Sequence, residues 1–196
     1  MRVLTTPSGV RYKFEPGAFS LELLLTGGPA PYDHYEVLHR PEDLVDWLAD
    51  SMLADLAPLV DLRIRQPELA RIKHLRDILW LVVPAMTRAQ RLEPAQLAVI
   101  NDSAAQVPRP AVNPVTGERR WVGPVTGAEI LGAAARDAID LLTTDRRERV
   151  RECAADDCTL LFLDTSRPGT RRWCSMQRCG NRHKVGNYRA GASIPG

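Results

Sequence analysis

The segments CAADDC (153–158) and CSMQRC (174–179) contain all four cysteines of the 196-residue chain. Four residues separate the cysteines within each segment, and fifteen residues lie between the two segments. Two closely spaced pairs around a short loop allow four thiolates to converge tetrahedrally on one metal ion. The spacing therefore predicts a structural Zn²⁺ site whose ligands are Cys153, Cys158, Cys174 and Cys179.

Two simpler interpretations of these cysteines are disulfide bonds and unrelated buried thiols. The first residues, MRVLTT, lead into a polar stretch and show no apolar signal-peptide core, so we expect a cytoplasmic, reducing location. The paired spacing argues against unrelated thiols. Because four cysteines complete the tetrahedron, no position is left for a reactive water, and we do not expect a catalytic zinc.

The composition is that of a soluble protein with one large or two small domains. Apolar residues make up 44% of the chain and charged residues 26%. The longest apolar stretch, residues 78–86, is far shorter than a membrane span. We therefore expect no membrane partner.

The net charge of +2 conceals a strong asymmetry along the chain. Residues 165–196 contain no Asp or Glu, whereas the preceding 164 residues hold all 24 acidic and 19 of the 26 basic residues. The seven basic residues of this C-terminal segment are Arg167, Arg171, Arg172, Arg178, Arg182, Lys184 and Arg189. Such clustering is typical of a nucleic-acid contact, so we take these seven as candidate DNA-binding residues. A solvated basic tail, or a face that docks on the acidic body, is the alternative.

The residues before 150 predict a mainly α-helical body with a few short strands. We expect helices from Pro41, from Pro67 to Val83 with an end or kink at Pro84, and from Pro94 toward Ala105. Residues 10–14 fit a strand, residues 19–25 fit either a strand or a helix start, and residues 113–118 fit a turn between two short strands. Thr126 and Glu129 match a capping box that opens a helix reaching Thr143. A short basic helix over 146–151 then leads into the cysteine segment.

The cysteine segment predicts a treble-clef-like module that starts near residue 150. Residues 159–164 form an apolar strand, residues 166–170 a turn, and residues 171–174 the returning strand of a hairpin. A helix follows Cys179. A module of this size buries too little surface to fold alone, so metal binding supplies much of its folding free energy, on the order of 10 kcal/mol. The predicted domains are a helical body, 1–150, and a zinc finger, 151–196.

The residues Cys179-Gly180-Asn181-Arg182 resemble the signature of the bacterial CGNR zinc-finger family. The likeness continues through residues 161–166 and 172–176. It implies the same four cysteine ligands, a preceding domain described as a stress-induced transcription regulator, and DNA binding in transcription control. The C-terminal likeness covers about forty residues, whereas residues 1–150 are similar in pattern only.

Arg182 and Trp173 could each have a structural role instead of contacting DNA. Arg178 and Arg182 lie one helical turn apart and could reach phosphate or guanine edges together. Arg182 could instead pair with Asp164 and stiffen the finger. Trp173 adjoins a ligand, and we expect it to pack under the site.

The sequence features are compatible with three functions. The first is a zinc-containing DNA-binding transcriptional regulator that responds to stress or to a small-molecule effector, and for which a homodimer would enlarge the DNA footprint. The second is an adaptor that binds RNA or an acidic protein. The third is an enzyme with a purely structural zinc, for which Asp33, His34 and Glu36 are the densest titratable cluster. No catalytic motif accompanies that cluster, so we expect a non-enzymatic protein.

Overall fold

The computed structural model describes residues 1–6 and 8–185 of the chain. The α-helices are α1 (Phe19–Leu23), α2 (Pro41–Leu48), α3 (Met52–Leu56), α4 (Gln66–Thr87), α5 (Pro94–Ser103) and α6 (Gly127–Thr143). Residues 181–185 are also α-helical, which confirms the helix predicted after Cys179. The strands are β1 (Arg2–Thr5), β2 (Arg11–Phe14), β3 (Leu62–Arg63), β4 (Pro110–Val112), β5 (Arg119–Trp121), β6 (Val125–Thr126), β7 (Val150–Glu152) and β8 (Leu161–Leu163). The prediction of a mainly α fold with short strands is confirmed. Residues 19–25 adopt the helical alternative.

Helices α4 and α6 form the centre of the body. α4 packs against α5 and α6, and α1 packs against α6. The three- and four-residue spacing predicted for α4 is confirmed, because Leu69, Ile72, Leu75 and Leu79 are all buried. Burial of each such side chain stabilises the fold by about 1.5–3 kcal/mol.

The expectation that the long helix ends at Pro84 is wrong, whereas the alternative, a kink at Pro84, stays a prediction. α4 continues to Thr87, with Pro84 inside its last turn. A proline there removes one backbone donor close to the helix end. Val83 and Met86 are buried on either side of it, and the apolar contacts of this turn hold the helix together.

The capping box at the start of α6 is confirmed. The Glu129 backbone N–H donates to Thr126 Oγ1 at 3.4 Å, and the Thr126 N–H donates to Glu129 Oε2 at 2.8 Å. These reciprocal bonds satisfy donors that the first helical turn leaves unpaired. The helix ends at Thr143, as predicted.

The described strands form four separate pairs: β1–β2, β4–β5 and β7–β8 are antiparallel, and β3–β6 is parallel. The predicted turn at 113–118 joins β4 to β5, and Asn113 Oδ1 accepts a hydrogen bond from Val115 N–H at 2.9 Å.

The segment around the first cysteine differs from its prediction in two respects. The basic helix is a 3₁₀ turn, Asp145–Arg149, and β7 begins at Val150. β8 pairs with β7, not with residues 171–174, which form no strand. The pairing of β8 with β7 buries both faces of β8. Leu161 and Leu163 join Val150 in the core of the body, whereas Phe162 points to the opposite side, among the cysteines.

The fold has a second, smaller core outside the helical body. It contains the four cysteines, Phe162, and two residues of β2, Tyr12 and Phe14. The N-terminal hairpin, β1–β2, therefore shares a core with the finger, although about 140 residues separate them in sequence. The domain boundary between residues 150 and 151 stays a prediction. The small core contains residues from both sides of that boundary.

Arg2 ties the same hairpin to the helical body. Its Nε donates to Glu22 Oε1 at 2.7 Å, and its guanidinium lies 4.0 Å from the Trp47 ring centroid. Burial raises the pKa of Glu22, although hydrogen bonds from Met52 N–H and Arg2 oppose that effect.

Among the described residues, no helix is both long and apolar enough to cross a membrane.

Candidate metal centre

The four cysteine sulfurs converge on one point of the finger. All four Sγ atoms lie within 4.8 Å of one another. The Sγ atoms of Cys158 and Cys174 are 3.7 Å apart, and those of Cys174 and Cys179 are 3.5 Å apart. Zinc–sulfur bonds of about 2.3 Å in a tetrahedron place sulfurs about 3.8 Å apart. The cysteines are free thiols rather than disulfides, so the donor set and its spacing fit one Zn²⁺.

Each sulfur is positioned by a short backbone element. Cys153 follows β7, and its N–H donates to the Leu160 carbonyl at 3.0 Å, which closes the loop that carries Cys158. Cys179 lies in a five-residue π-helical turn, Met176–Gly180. The four cysteines are all buried, which keeps water from competing for the metal.

Hydrogen-bond donors of the backbone and of two arginines face the sulfurs. The Cys174 N–H donates to Cys153 Sγ at 3.3 Å, Arg182 Nη2 to Cys179 Sγ at 3.5 Å, and Arg178 Nη1 approaches Cys158 Sγ at 3.9 Å. Four thiolates around one divalent cation carry a formal charge of −2. The two guanidinium groups offset that charge and orient the ligands.

Without a metal, the thiols share protons among themselves. Hydrogen bonds from Cys158 and Cys174 hold the pKa of Cys153 well below its usual value, so its thiolate is the favoured one. The same hydrogen bond with Cys153 raises the pKa of Cys158 to about 12. Hydrogen bonds with Cys153 and Cys158 raise the pKa of Cys174 strongly. Zinc binding must therefore displace protons, and its affinity rises with pH.

The fully buried Asp164 organises the loop between the two cysteine pairs. Its carboxylate accepts hydrogen bonds from Ser166 Oγ at 2.6 Å, from the Ser166 N–H at 2.9 Å and from the Arg171 N–H at 2.8 Å. Burial alone would raise the pKa of Asp164, but these hydrogen bonds outweigh it and lower the pKa.

Arg182 has a different partner from the one the sequence suggested. It forms a bidentate ion pair with Asp157, with Nη2 to Oδ1 at 2.7 Å, and not with Asp164. Asp157 lies between the first two cysteines, so the pair connects the two halves of the metal site. The hydrogen bond to Asp157 is the main reason that the pKa of Arg182 is raised.

The remaining candidate DNA contacts fall into two groups. Arg167, Arg172 and Lys184 are exposed. Arg171 is half-buried, and its guanidinium donates to the carbonyls of Trp173, Glu15 and Cys174 while lying 4.1 Å from the Phe162 ring centroid. Arg178 is also partly buried, and Arg189 lies outside the described residues. Trp173 is half-buried with its ring 4.7 Å from that of His183.

Tyr12 is a residue of the site that the sequence reading did not identify. Its hydroxyl accepts a hydrogen bond from Arg178 Nη1 at 2.9 Å, and burial raises its pKa to about 12. The alternation of Arg11, Tyr12, Lys13 and Phe14 indicates a two-sided strand. That signal exists in the sequence, but it does not tell which core the buried side meets.

The titratable cluster of the body is arranged around an ion pair. Glu36 receives hydrogen bonds from Arg76 Nη1 at 3.0 Å and Nη2 at 2.9 Å, and Lys73 Nζ lies 3.1 Å away. Arg76 is almost fully buried. Asp33 and His34 lie on an exposed 3₁₀ turn, so these three residues do not converge on one point.

Two family models match the chain in the order expected from the resemblance. The CGNR zinc finger model matches residues 149–191. The ABATE model, described as "Putative stress-induced transcription regulator", matches residues 17–145. No curated protein matches the chain. Because the second match covers more than half of the chain, the chain belongs to the ABATE family and carries a CGNR zinc finger after that domain.

Proposed function

We propose that the protein is a cytoplasmic transcriptional regulator that binds double-stranded DNA through its zinc finger. The observation that carries the proposal is a closed four-sulfur metal site beside exposed basic side chains of residues 165–196, a segment that contains no Asp or Glu. Membership of a regulator family and the CGNR match agree with it.

The DNA contact is best supplied by Arg167, Arg172 and Lys184. They are exposed, and no ion pair engages them among the described residues. Arg172 also lines a groove of about 590 Å³ between the finger and the hairpin, together with Lys13 and Glu15. Hydroxyl groups of Ser166, Thr170 and Ser175 line the same groove. Cationic and hydroxyl side chains together are the usual partners of phosphate oxygens.

Zinc has a structural role in this proposal. It would be held by the four cysteines, and it would fix the loop that carries Arg167 and Arg172 relative to the turn that precedes Lys184. The body then acts as the regulatory part, which responds to stress or to a small molecule. A homodimer would double the DNA footprint of a single finger.

A charge-neutralising variant tests the DNA contact. The triple change Arg167→Gln, Arg172→Gln and Lys184→Gln should weaken binding to duplex DNA and reduce the salt slope of the log–log plot by up to about 2.7, or about 0.9 per lost phosphate contact. The matched control changes three exposed arginines of the body, Arg91, Arg109 and Arg120, to Gln and has the same net charge. Equal loss in both variants would mean that only overall charge matters.

Competition assays separate the remaining functions. Duplex DNA should displace labelled duplex DNA at lower concentration than single-stranded RNA does. Preferential displacement by RNA, or binding to an acidic protein alone, would favour the adaptor function instead.

A further inference from the structure

A cavity of about 260 Å³ lies where the body, the hairpin and the finger meet. Its walls come from α4 and the 24–37 segment of the body, from β1 and β2, and from the loop around Cys158. We propose that this cavity binds a small aromatic carboxylate of one or two rings. The site goes beyond the proposed DNA binding, and its occupancy can be measured without DNA.

One wall of the cavity is a fixed aromatic surface. The rings of Tyr32 and Trp80 are stacked, with centroids 3.9 Å apart and an interplanar angle of 13°. Trp80 is held in place because its Nε1–H donates to the Gly27 carbonyl at 2.8 Å. Tyr35, which is exposed, adds a third ring at the cavity wall. Rigid aromatic surfaces of this kind bind flat rings by stacking and apolar contact.

The finger supplies a cation at the same cavity. Arg178 uses Nη1 for Tyr12 and Cys158. Among the described residues its Nε also lacks a hydrogen-bond partner, but this nitrogen is buried, so a ligand would bind the outer part of the guanidinium. No hydrogen bond within the described part of the chain engages its Nη2. An under-used guanidinium is the usual anchor for a carboxylate. The nearby acid, Asp157, is already paired with Arg182.

The size and remaining lining restrict the ligand. The volume equals that of about nine water molecules, which suits one or two rings rather than a nucleotide. Leu24, Leu25 and Leu160 provide apolar contacts. The combination of stacked rings, leucines and one cation therefore selects an aromatic acid.

The position of the cavity suggests what its ligand would do. A bound molecule touches Trp80 of the body together with Cys158 and Arg178 of the metal site. Such a ligand stabilises the arrangement in which body and finger are in contact, and so favours retention of the metal.

Calorimetric titration of the zinc-loaded full chain with 1-naphthoate tests the proposal. We expect saturable one-to-one binding, at least about tenfold tighter than that of the neutral 1-naphthalenemethanol or of the non-aromatic cyclohexanecarboxylate. The absence of saturable 1-naphthoate binding would overturn the proposal. Equal affinity for the neutral compound would overturn the assignment of a carboxylate.

Two variants locate the binding. Thr159→Trp places a large side chain at the cavity from an exposed position, and it should weaken 1-naphthoate binding at least about tenfold. Val115→Trp, on an exposed loop that does not line the cavity, is the matched control and should bind like wild type. Unchanged binding by Thr159→Trp would place the ligand elsewhere. Arg178→Gln should abolish the preference for the carboxylate, with zinc content measured in parallel to verify the finger.

Discussion

Nη1 of Arg178 donates a hydrogen bond to the hydroxyl of Tyr12 at 2.9 Å, which joins residues that lie 166 positions apart in the chain. Arg178 also approaches the sulfur of Cys158, so one guanidinium contacts both the N-terminal hairpin and the metal site. Phe14 and Phe162 complete this small core. The finger is therefore built from both ends of the described chain.

The variant Tyr12→Phe tests this connection. It keeps the ring but removes the acceptor of the Arg178 hydrogen bond, and we expect a loss of about 1.5–3 kcal/mol in unfolding free energy. Zinc transfer to a coloured chelator should become several-fold faster. Tyr35→Phe, at an exposed tyrosine of the body, is the control. A wild-type transfer rate in Tyr12→Phe would show that the hairpin does not support the metal site.

The variant Cys174→Ser tests the ligand set. A serine hydroxyl is a poor zinc ligand, so zinc content measured by elemental analysis should fall from one ion per chain to well below one. Thr159→Ser, beside Cys158 but not a ligand, should keep full zinc content. Full zinc occupancy in Cys174→Ser would exclude this cysteine from the site.

The junction of hairpin and body depends on Gly17. Its φ is +75°, and an added Cβ would lie 2.7 Å from the Leu163 carbonyl oxygen in β8. Gly17→Ala should therefore cost more than the roughly 1–2 kcal/mol of left-handed backbone strain alone. Gly9→Ala is a matched control, because Gly9 has φ +83° and an added Cβ would meet no atom of the described residues within 4 Å. Equal losses in urea unfolding for the two variants would contradict the close approach.

The ion pair of Glu36 with Arg76 gives a stability effect that depends on pH. Burial alone would raise the pKa of Glu36, but hydrogen bonds from Arg76, Leu38 N–H and Lys73 lower it below its usual value of 4.5. A lowered folded-state pKa adds stability above pH 4.5, and this stability is lost as the pH falls through the folded-state pKa. Glu36→Gln should lower the free energy of unfolding by about 3 kcal/mol at pH 7. Among the described residues, it leaves Arg76 with only the partly exposed Asp77 as a charged partner.

Urea unfolding at pH 7, 5 and 4 checks the direction of this pH dependence. The difference between wild type and Glu36→Gln should shrink toward pH 4, because protonated Glu36 becomes neutral like Gln. Glu42→Gln, at an exposed position of α2, should change little at any pH. A difference that is constant with pH would mean that the charge of Glu36 adds no stability.

The local features of the fold were predictable because their signals are local. The apolar spacing in α4, the Thr126–Glu129 box and each of the two cysteine pairs lie within a short stretch of sequence. The extension of α4 through Pro84 was not predictable from the sequence, because tertiary contacts of Val83 and Met86 override the helix-breaking tendency of proline.

The non-local contacts of the metal site could not be read from the sequence. Asp157 and Asp164 are both near enough in the chain to pair with Arg182, and only the folded loop selects Asp157. Likewise, the alternating sequence of β2 predicts which of its side chains are buried. The core in which they are buried is formed by residues far along the chain, so the sequence of β2 does not identify it. Contacts of this kind depend on topology rather than on local pattern.

Zinc-dependent recognition of duplex DNA should be measured by fluorescence anisotropy across a salt series, with zinc-loaded and chelated protein in parallel. We predict binding by the zinc-loaded protein that weakens with salt, with a log–log slope of about −0.9 for each phosphate contacted, and little binding after chelation. The absence of binding by folded, zinc-loaded protein at low salt would contradict it.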